Sequence, residues 1–260
     1  MDADFDIAAS SYDRQFTHSN IGTLQRGKTW QYIDQALNNR KELKILELNC
    51  GTGEDALMLA KKGHKVVASD ISSNMLGIAR GKASEMSIDF LQIDLTNIDT
   101  EALDDDFDLV FSNFGGVNCI DHHSLSKLGE SVAKILKPNG FFIAVVMPKF
   151  CVWEFIYLSL KGKIAQALRR SRGVVIANVS GQPVKTWYYS PKQLSRALGS
   201  SYREMMLKPV GFFVPPSYLE SFFCKHPIFL KLLGYLEKHF ARFAWQARFS
   251  DHFFIQYQLK

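Results

Sequence analysis

The sequence predicts an α/β protein with a doubly wound, mostly parallel seven-stranded sheet and helices on both faces. A helical, aromatic-rich cap is expected after the fifth strand and before the last. Three observations support this fold class. Strand-length apolar runs alternate with helical patterns from residue 27 to 148, a glycine loop follows the first strand, and the rhythm changes after Pro148. The pattern indicates a ligand-binding core with an added cap.

The core elements follow one another over short loops. The predicted strands are, in order, KILELN, KVVASD, IDFLQIDLT, FDLVFSNFGG and FFIAVVMP, the last entered through a turn at LKPNG. The predicted helices are GKTWQYIDQALNN, EDALMLAKKG, SSNMLGIARGKASEM and HHSLSKLGESVAKIL. Gly63 is a stop signal for the second helix, and Ser72 or Ser73 is a suitable cap for the third. Strands joined by helices in this way imply parallel pairing.

The segment after Pro148 follows a different pattern. Residues 149–172 read as one long helical stretch, and 174–188 as two short strands around GQP. SPKQLSRALG is a predicted helix with Pro191 in its first turn. A sixth strand, YREMMLKPVGFFV, then precedes a helical stretch and a final strand, DHFFIQYQLK. We expect four regions: an N-terminal helical cap segment at 1–40, a core at 41–148, an inserted substrate cap at 149–200, and C-terminal strands with a helical excursion at 201–260.

The loop after the first strand has the form G-x-G-x-x-A, from Gly51 to Ala56. Glycine lets the backbone approach a ligand closely, and free N–H groups at a helix start favour negative charge. Asp70 ends the next strand, nineteen residues after Gly51. An acid at about this offset accepts hydrogen bonds from a ribose in the dinucleotide-binding fingerprint. The order of strand, loop, helix, strand and acid therefore predicts an adenosine-containing ligand.

Both NAD and S-adenosylmethionine carry an adenosine ribose, so the fingerprint alone leaves both open. Glu47 favours the second, because a carboxylate suits the amino end of a methionine and repels a pyrophosphate. Asp94 closes the third strand, in a position to receive the adenine amino group. Asn49 stands where nicotinamide-binding chains usually have their first glycine.

The motifs ILELNCGTGED, VVASDISSNML, FLQIDLT, FDLVFSN and LKPNGFF resemble, in order and spacing, those of class I S-adenosylmethionine-dependent methyltransferases. The likeness covers about residues 40–150, and FDIAASSYDRQF resembles the entry helix of small-molecule members. The resemblance implies a cofactor, S-adenosyl-L-methionine, and a set of cofactor-binding residues: Tyr12, Arg26, Glu47, Asn49, Gly51, Gly53, Asp70, Ile71, Asp94, Leu95, Asn113 and Phe114.

These residues divide by the part of the cofactor they are expected to meet. The resemblance implies that Glu47, Gly51 and Gly53 form the methionine and ribose side, and that Asp70 binds the ribose hydroxyls. It places Ile71, Asp94 and Leu95 around the adenine. Asn113 and Phe114 would lie beneath the sulfonium, Tyr12 would close the methionine end, and Arg26 would meet the cofactor carboxylate.

Asn49 departs from the glycine usual in this family. Asn is among the non-glycine residues that best tolerate positive φ, so the turn can survive. The substitution also adds an amide near the expected position of the cofactor amine. We interpret it as a tolerated variant that leaves binding intact.

Composition limits the other classes. The chain of 260 residues is 47% hydrophobic and 22% charged with a net charge of +5, as expected of an ordinary globular enzyme. MDADFDIAAS lacks the features of a targeting segment, and no apolar run approaches membrane-spanning length. Four scattered cysteines form no Cys-x-x-Cys pair, so no metal site is predicted and a reducing cytoplasm is expected.

Methyl transfer from a sulfonium mainly requires alignment and exclusion of water, and a base only where the acceptor holds its proton. His122 and His123 follow the fourth-strand loop and are candidates for that base. The alternative is that they merely begin a helix. An N/D-P-P-Y/F element, typical of enzymes that methylate nucleic-acid amino groups, is missing after the fourth strand.

The C-terminal half, which is rich in Phe, Trp and Tyr, indicates the class of methyl acceptor. Most of these rings suit a core, but a cap of aromatic helices also encloses apolar acceptors. The basic run KGKIAQALRRSRG is either a solvated face or a contact for a lipid headgroup, a carrier protein or a membrane surface.

The sequence therefore predicts a cytoplasmic methyltransferase of an apolar, aromatic or lipid-like small molecule, methylated on oxygen. Carbon or nitrogen methylation of a quinone or natural product is the alternative. An RNA methyltransferase, a non-catalytic cofactor-binding protein and an NAD-dependent oxidoreductase are less favoured, and the oligomeric state stays open.

Overall fold

The chain was analysed as a computed structural model that describes residues 6–98, 100, 101, 103, 106–179 and 181–260. The structural description of the predicted N-terminal segment therefore begins at Asp6. Its first five residues, including Phe5 of the FDIAASSYDRQF motif, lie outside the described residues.

Seven strands form one sheet in the order β3-β2-β1-β4-β5-β9-β8. The first five pair in parallel, and β9 runs antiparallel to both β5 and β8. The strands are β1 Lys44–Leu48, β2 Lys65–Asp70, β3 Ile88–Gln92, β4 Phe107–Ser112, β5 Leu136–Val146, β8 Tyr202–Val210 and β9 His252–Leu259. The predicted fold class, an α/β protein with a seven-stranded, mostly parallel sheet, is confirmed. A separate hairpin pairs β6 Val174–Val179 with β7 Gln182–Trp187.

Helices connect the parallel strands and form most of the cap. In chain order they are α1 Ala9–Tyr12, α2 Asn20–Leu37, α3 Glu54–Lys61, α4 Ser73–Lys82, α5 His122–Ile135, α6 Val152–Leu160, α7 Ile164–Ala167, α8 Pro191–Leu198, α9 Glu220–Phe223 and α10 Pro227–Phe240. Ser72 caps α4, its Oγ accepting from the Met75 N–H at 3.1 Å. Ser190 and Gln193 form a capping box at α8.

Three predicted boundaries were wrong. The first long helix begins at Asn20 rather than 27, because Ser19 accepts from the Gly22 N–H and caps it. The helical stretch at 149–172 is broken at Gly162, whose φ of 72° ends the helical path. LKPNG is no separate turn: it belongs to β5, where the register with β4 shifts between Phe107 and Leu109.

The core lies on both faces of the sheet because side chains alternate along each strand. Leu46, Val110 and Phe142 pack with α5 and α8 on one face. Ile45, Leu109 and Ile143 pack with α2 and α3 on the other. A third cluster joins α2 to the cap through Ile21, Val214, Leu219, Phe223, Leu230 and Leu233.

Among the described residues, no helix combines the length and apolarity required to cross a membrane.

Candidate functional site

A cavity of about 270 Å³ opens at the carboxyl ends of β1, β2 and β4. This is the edge at which ligands bind in open parallel sheets, because the loops that follow the strands diverge there. Ten of the twelve predicted cofactor-binding residues line it: Tyr12, Arg26, Asn49, Gly51, Asp70, Ile71, Asp94, Leu95, Asn113 and Phe114. Two, Glu47 and Gly53, do not.

Asp70 fixes the glycine loop from the end of β2. One carboxylate oxygen accepts from the Gly51 N–H at 2.8 Å, and the other accepts from the Ser72 N–H at 2.9 Å. Burial raises the pKa of the Asp70 carboxyl. The backbone donors lower this pKa by less, so the net pKa lies above its usual value. The carboxylate is thus held in place while it still lines the cavity. It is a fixed acceptor for ligand hydroxyl groups.

Apolar side chains flank Asp70 in the cavity wall. Ile71, Met75, Ile93 and Leu95 line this part, which suits the flat apolar faces of a base. Asp94 stands at its rim and accepts from the N–H and the hydroxyl of Thr96, at 2.8 and 2.7 Å. The wall therefore combines apolar faces with one oriented carboxylate.

Asp55 is a site residue that the sequence reasoning missed. It is buried in the first turn of α3 and accepts from Trp30 Nε1 at 2.6 Å and from Asn113 Nδ2 at 2.8 Å. Arg26 forms an ion pair with the same carboxylate. The available signal was an acid at a helix N-terminus next to a glycine loop, where the helix dipole favours it.

Arg26 keeps a donor for a ligand. Its guanidinium lies 5.1 Å from the centroid of the Phe114 ring, and it lines the cavity beside Tyr12. Its buried Nε has no hydrogen-bond partner among the described residues. Burial lowers the pKa of Arg26, but Asp55, Tyr12 and Glu47 together raise it by more, so the net pKa lies above its usual value and the cation is retained.

Asn49 adopts the left-handed conformation, with φ of 49°. The prediction that an asparagine can hold this turn agrees with the backbone. The amide lines the first cavity and is also engaged within the protein: Nδ2 donates to the Asn113 carbonyl at 2.7 Å, and Oδ1 accepts from the Ser112 hydroxyl at 2.6 Å. Gly116 leaves space for this side chain, since a Cβ there would lie 2.1 Å from Asn49 Oδ1. The amide joins two loops.

Glu47 and Gly53 lie behind the cavity wall rather than in it. Glu47 is 1% exposed, and burial raises the pKa of its carboxyl well above the usual value. Its Oε2 has no hydrogen-bond partner among the described residues. Gly53, with φ of 81°, packs on α4, where a Cβ would lie 2.9 Å from the Ala79 Cβ. The structure therefore corrects the expectation that both face the ligand directly.

A second cavity of about 240 Å³ adjoins the first. The two share a wall made of Tyr12, Arg26, Phe114, Gly115 and Cys119. Beyond that wall, the lining comes from the cap and the small hairpin: Phe16, Met147, Ala177, Val184, Thr186, Tyr188, Pro216, Tyr218, Arg169, Arg170, Asp251 and His252 among others. Most of these groups are apolar or aromatic, with the polar ones gathered on one side.

The structure does not bring the two predicted histidines to either cavity. His122 and His123 are exposed in the first turn of α5, where Asp121 caps the helix by accepting from the Ser124 N–H at 2.8 Å. His122 packs edge-on against Tyr189, 4.9 Å between ring centroids. Their expected role as bases stays a prediction that this placement does not support, because a base must come within hydrogen-bond reach of the acceptor.

His252, at the start of β9, occupies the position that the sequence reasoning assigned to those histidines. Its ring lines the second cavity and meets the Phe114 ring edge-on at 5.2 Å. Its Nδ1 lies 3.3 Å from Asp251 Oδ2. The sequence predicts only an ordinary strand at DHFFIQYQLK, so the available signal was a histidine and an acid in adjacent positions.

Asp251 belongs to a buried charge network beneath the second cavity. Arg170 donates to the Asp251 carboxylate at 2.8 Å and to its carbonyl at 2.9 Å, and donates also to Glu154 at 3.1 Å. Burial raises the pKa of the Asp251 carboxyl. His252 and Arg170 together lower this pKa by more than burial raises it, so the net pKa lies below its usual value. Asp251 is thus a carboxylate within ion-pair distance of His252 Nδ1, which makes no hydrogen bond among the described residues.

The fold and the first cavity define a class of protein: a doubly wound domain that holds an adenosine-containing ligand over a glycine loop and an acid. Comparison with known proteins narrows the class. Residues 45–140 match the family described as a methyltransferase domain. A demethylmenaquinone methyltransferase of Clavibacter sepedonicus is 33% identical over 143 residues, 54% of this chain and 55% of that protein.

Two further likenesses extend over more of the chain. A protein of Methanocaldococcus jannaschii, itself uncharacterised, is 26% identical over 84% of this chain and 85% of its own length. A solved structure from Listeria monocytogenes, assigned to the S-adenosylmethionine-dependent methyltransferases, aligns with a TM-score of 0.62 and 17% identity over 92% of this chain and 99% of that one. That likeness shows the fold alone.

These findings assign residues 45–140 to the methyltransferase domain family and support a class I S-adenosylmethionine-dependent methyltransferase, an enzyme whose cofactor is S-adenosylmethionine. The chain spans little more than half the length of the demethylmenaquinone methyltransferase that it matches.

Proposed function

We propose that the protein transfers a methyl group from S-adenosylmethionine to a hydroxyl oxygen of an apolar or aromatic small molecule bound in the second cavity. The observation that carries this proposal is the shared wall of Tyr12, Arg26, Phe114, Gly115 and Cys119. An acceptor in the second cavity would lie next to the cofactor site, and in-line transfer requires such an approach.

In this proposal, Asp70 accepts hydrogen bonds from the ribose hydroxyls, since its oxygens are already oriented by Gly51 and Ser72. Ile71 and Leu95 enclose the adenine, and Asp94 accepts from its amino group. Arg26, whose side chain lines the first cavity, binds the carboxylate of the methionine moiety. S-adenosylmethionine supplies an electrophilic methyl group, already activated by the sulfonium charge. The protein contributes alignment and exclusion of water.

His252 acts as the general base in this reading. It lines the acceptor cavity, and Asp251 lies 3.3 Å from its Nδ1, an arrangement that directs the other ring nitrogen away from the carboxylate. A hydroxyl must lose its proton as the new bond to carbon forms, and a histidine within hydrogen-bond reach can accept it.

Carbon or nitrogen methylation of a quinone or natural product is the second candidate. The sequence likeness to demethylmenaquinone methyltransferases supports it, although that likeness covers just over half of this chain. A likeness to a tRNA 5-carboxymethoxyuridine methyltransferase covers 34% of the chain, so it supports an RNA acceptor less.

The experiment that tests the proposal is incubation of the protein with methyl-labelled S-adenosylmethionine and matched pairs of acceptors, one free phenol or carboxylic acid and its blocked analogue in each pair. Mass spectrometry then locates the label. Label on oxygen supports the proposal, whereas label on carbon or nitrogen supports the second candidate.

His252→Gln provides the mechanistic control. We expect kcat to fall by about 10²–10⁴-fold, the usual contribution of general base catalysis, while the Kd of S-adenosylmethionine stays within about twofold. His123→Gln, at an exposed helix start, should leave kcat unchanged. Equal effects of the two substitutions would remove His252 from the mechanism.

A further inference from the structure

The outer surface of the cap exposes an unusual number of large apolar side chains. Within residues 217–249, the exposed ones are Tyr218, Phe222, Ile228, Phe229, Leu232, Tyr235, Phe240, Phe243, Trp245 and Phe249. We call this set the outer cap face. Single exposed apolar residues are normal on a protein surface, but a group of this size within 33 consecutive residues indicates a surface that binds something.

Helix α10 shows that this exposure is not a by-product of core formation. Its inner edge, with Leu230 and Leu233, packs into the cap cluster. On its outer side, Ile228 is 84% exposed and is followed by Leu232 and Tyr235 one and two turns later. The helix is therefore apolar on both sides, and the fold covers only one of them.

The exposed ionised side chains of the segments that form the cap surface all have the same sign. Within 151–172 and 217–249 the exposed ionised side chains are Lys161, Lys163, Arg172, Lys225, Lys231, Lys238, Arg242 and Arg248. The acidic residues of the same ranges form ion pairs or hydrogen bonds with other groups of the protein. Glu154 binds Arg169 and Arg170, Glu237 accepts from three backbone N–H groups, and Glu220 accepts from those of Asn20 and Ile21.

Helix α6 adjoins this surface and extends its character. Tyr157 of α6 contacts Tyr218 with ring centroids 5.9 Å apart, and Trp153 contacts Phe223 at 6.1 Å. The outward residues Ile156 and Leu160 are exposed, and Lys161 and Lys163 follow them directly. The basic run of the sequence thus lies at the edge of an apolar surface.

We propose that the outer cap face binds the surface of an anionic lipid bilayer. Aromatic and aliphatic side chains interspersed with lysine and arginine are what an interfacial helix presents to acyl chains and anionic headgroups. The charge pattern separates this occupant from a second copy of the chain. A two-fold interface would bring the same cationic surface together on both sides, and like charges would oppose it.

The surface also reaches the second cavity. Tyr218 is 44% exposed and lines that cavity, and Ser217 and Pro216 line it beside the ring. If the proposed function holds, an apolar acceptor dissolved in the membrane can enter the cavity with little contact with water. The bilayer contact itself depends only on the outer cap face, so the two proposals fail separately.

The test is co-sedimentation of the full chain with vesicles of phosphatidylcholine alone and vesicles in which a third of the lipid is phosphatidylglycerol. We expect binding to the anionic vesicles that weakens with added salt, and at least tenfold less binding to the neutral ones. Neutralising two lysines with Lys231→Gln/Lys238→Gln should weaken binding by about twentyfold, since each cation near the surface contributes a factor of about five.

The apolar contribution is tested with Ile228→Glu/Leu232→Glu, which should weaken vesicle binding at least tenfold. Leu91→Glu is the matched control, because Leu91 is exposed on β3 at the opposite edge of the sheet. Circular dichroism and thermal unfolding confirm that each variant is folded.

Several results would overturn the proposal. The wild-type chain could fail to bind anionic vesicles at low salt, or Leu91→Glu could weaken binding as much as the α10 variants do. Light scattering could instead show a dimer that Ile228→Glu/Leu232→Glu converts to a monomer, which would assign the face to a second copy. Vesicle binding without methyl transfer would refute only the proposed function.

Discussion

The first cavity is formed mainly by loops that follow neighbouring parallel strands, whereas the second is assembled from distant segments at 12–26, 114–119, 169–188, 216–218 and 251–252. In the first, backbone geometry and short side-chain contacts within 44–120 hold the walls. In the second, a buried charge network of Glu154, Arg170 and Asp251 joins the cap to the sheet. A cofactor site built locally can keep a recognisable sequence pattern, while an acceptor site built from distant segments need not.

The largest expected effect comes from breaking the network under the second cavity. Arg170→Met leaves the Asp251 and Glu154 carboxylates buried without their shared cation, which should lower the free energy of unfolding by about 3–5 kcal/mol. Urea denaturation measures it. Arg172→Met, at an exposed position nearby, should change the free energy by less than about 0.5 kcal/mol. Equal losses would show that Arg170 does not hold the cap.

The next test changes a residue of the cofactor site and leaves the second cavity intact. Asp70→Ala removes two charged acceptors from the first cavity, so we expect S-adenosylmethionine binding to weaken by about 100-fold. Titration calorimetry measures the Kd. Asp89→Ala, an exposed acid on β3, serves as the control and should bind normally. Unchanged affinity in Asp70→Ala would contradict the proposed ribose contact.

The contact between Asn49 and Gly116 connects the loops that follow β1 and β4, and it can be tested by substitution. Gly116→Ala places a Cβ 2.1 Å from Asn49 Oδ1, so it should cost about 1–3 kcal/mol of stability through overpacking. In an Asn49→Gly background the space is open, and the same change should cost little. A double-mutant cycle measures the coupling. Additive effects would show that the two residues do not constrain each other.

The smallest expected effect is a dependence on pH. Because the pKa of Asp251 lies below its unfolded value of about 3.9, its contribution to stability is complete above about pH 4 and is lost as pH falls through the folded value. The difference in free energy of unfolding between the wild type and Asp251→Asn should therefore be constant from pH 7 to 5 and shrink below pH 4. A difference that persists at low pH would mean that Asp251 is not held as a carboxylate.

Much of the cofactor half could be predicted because its signals are local. Glycine before a helix, an acid after the next strand and capping serines depend on neighbours within a few residues, so Gly51, Asp70 and Ser72 were identifiable from the sequence. The fold class follows from the same rhythm of strands and helices. Helix ends were less accurate: the break at Gly162 depends on packing of the cap as well as on its own residues.

The roles of the histidines depended on three-dimensional structure. His122 and His123 follow the fourth strand closely in sequence, yet the helix they begin turns them outward. His252 lies 138 residues from Phe114 in the chain, but the antiparallel return of β9 beside β5 brings their rings to 5.2 Å. Sequence proximity therefore did not indicate which histidine lines the second cavity.

The sequence by itself determined the sheet, the glycine loop and the acid that follows it, since each depends on hydrogen bonds and conformations set by adjacent residues. Only the tertiary structure decided which residues face the second cavity, that Glu47 and Gly53 lie behind the first, and that one side of α10 stays uncovered. Those outcomes follow from how distant segments pack, and packing depends on the shape and volume of all partners at once.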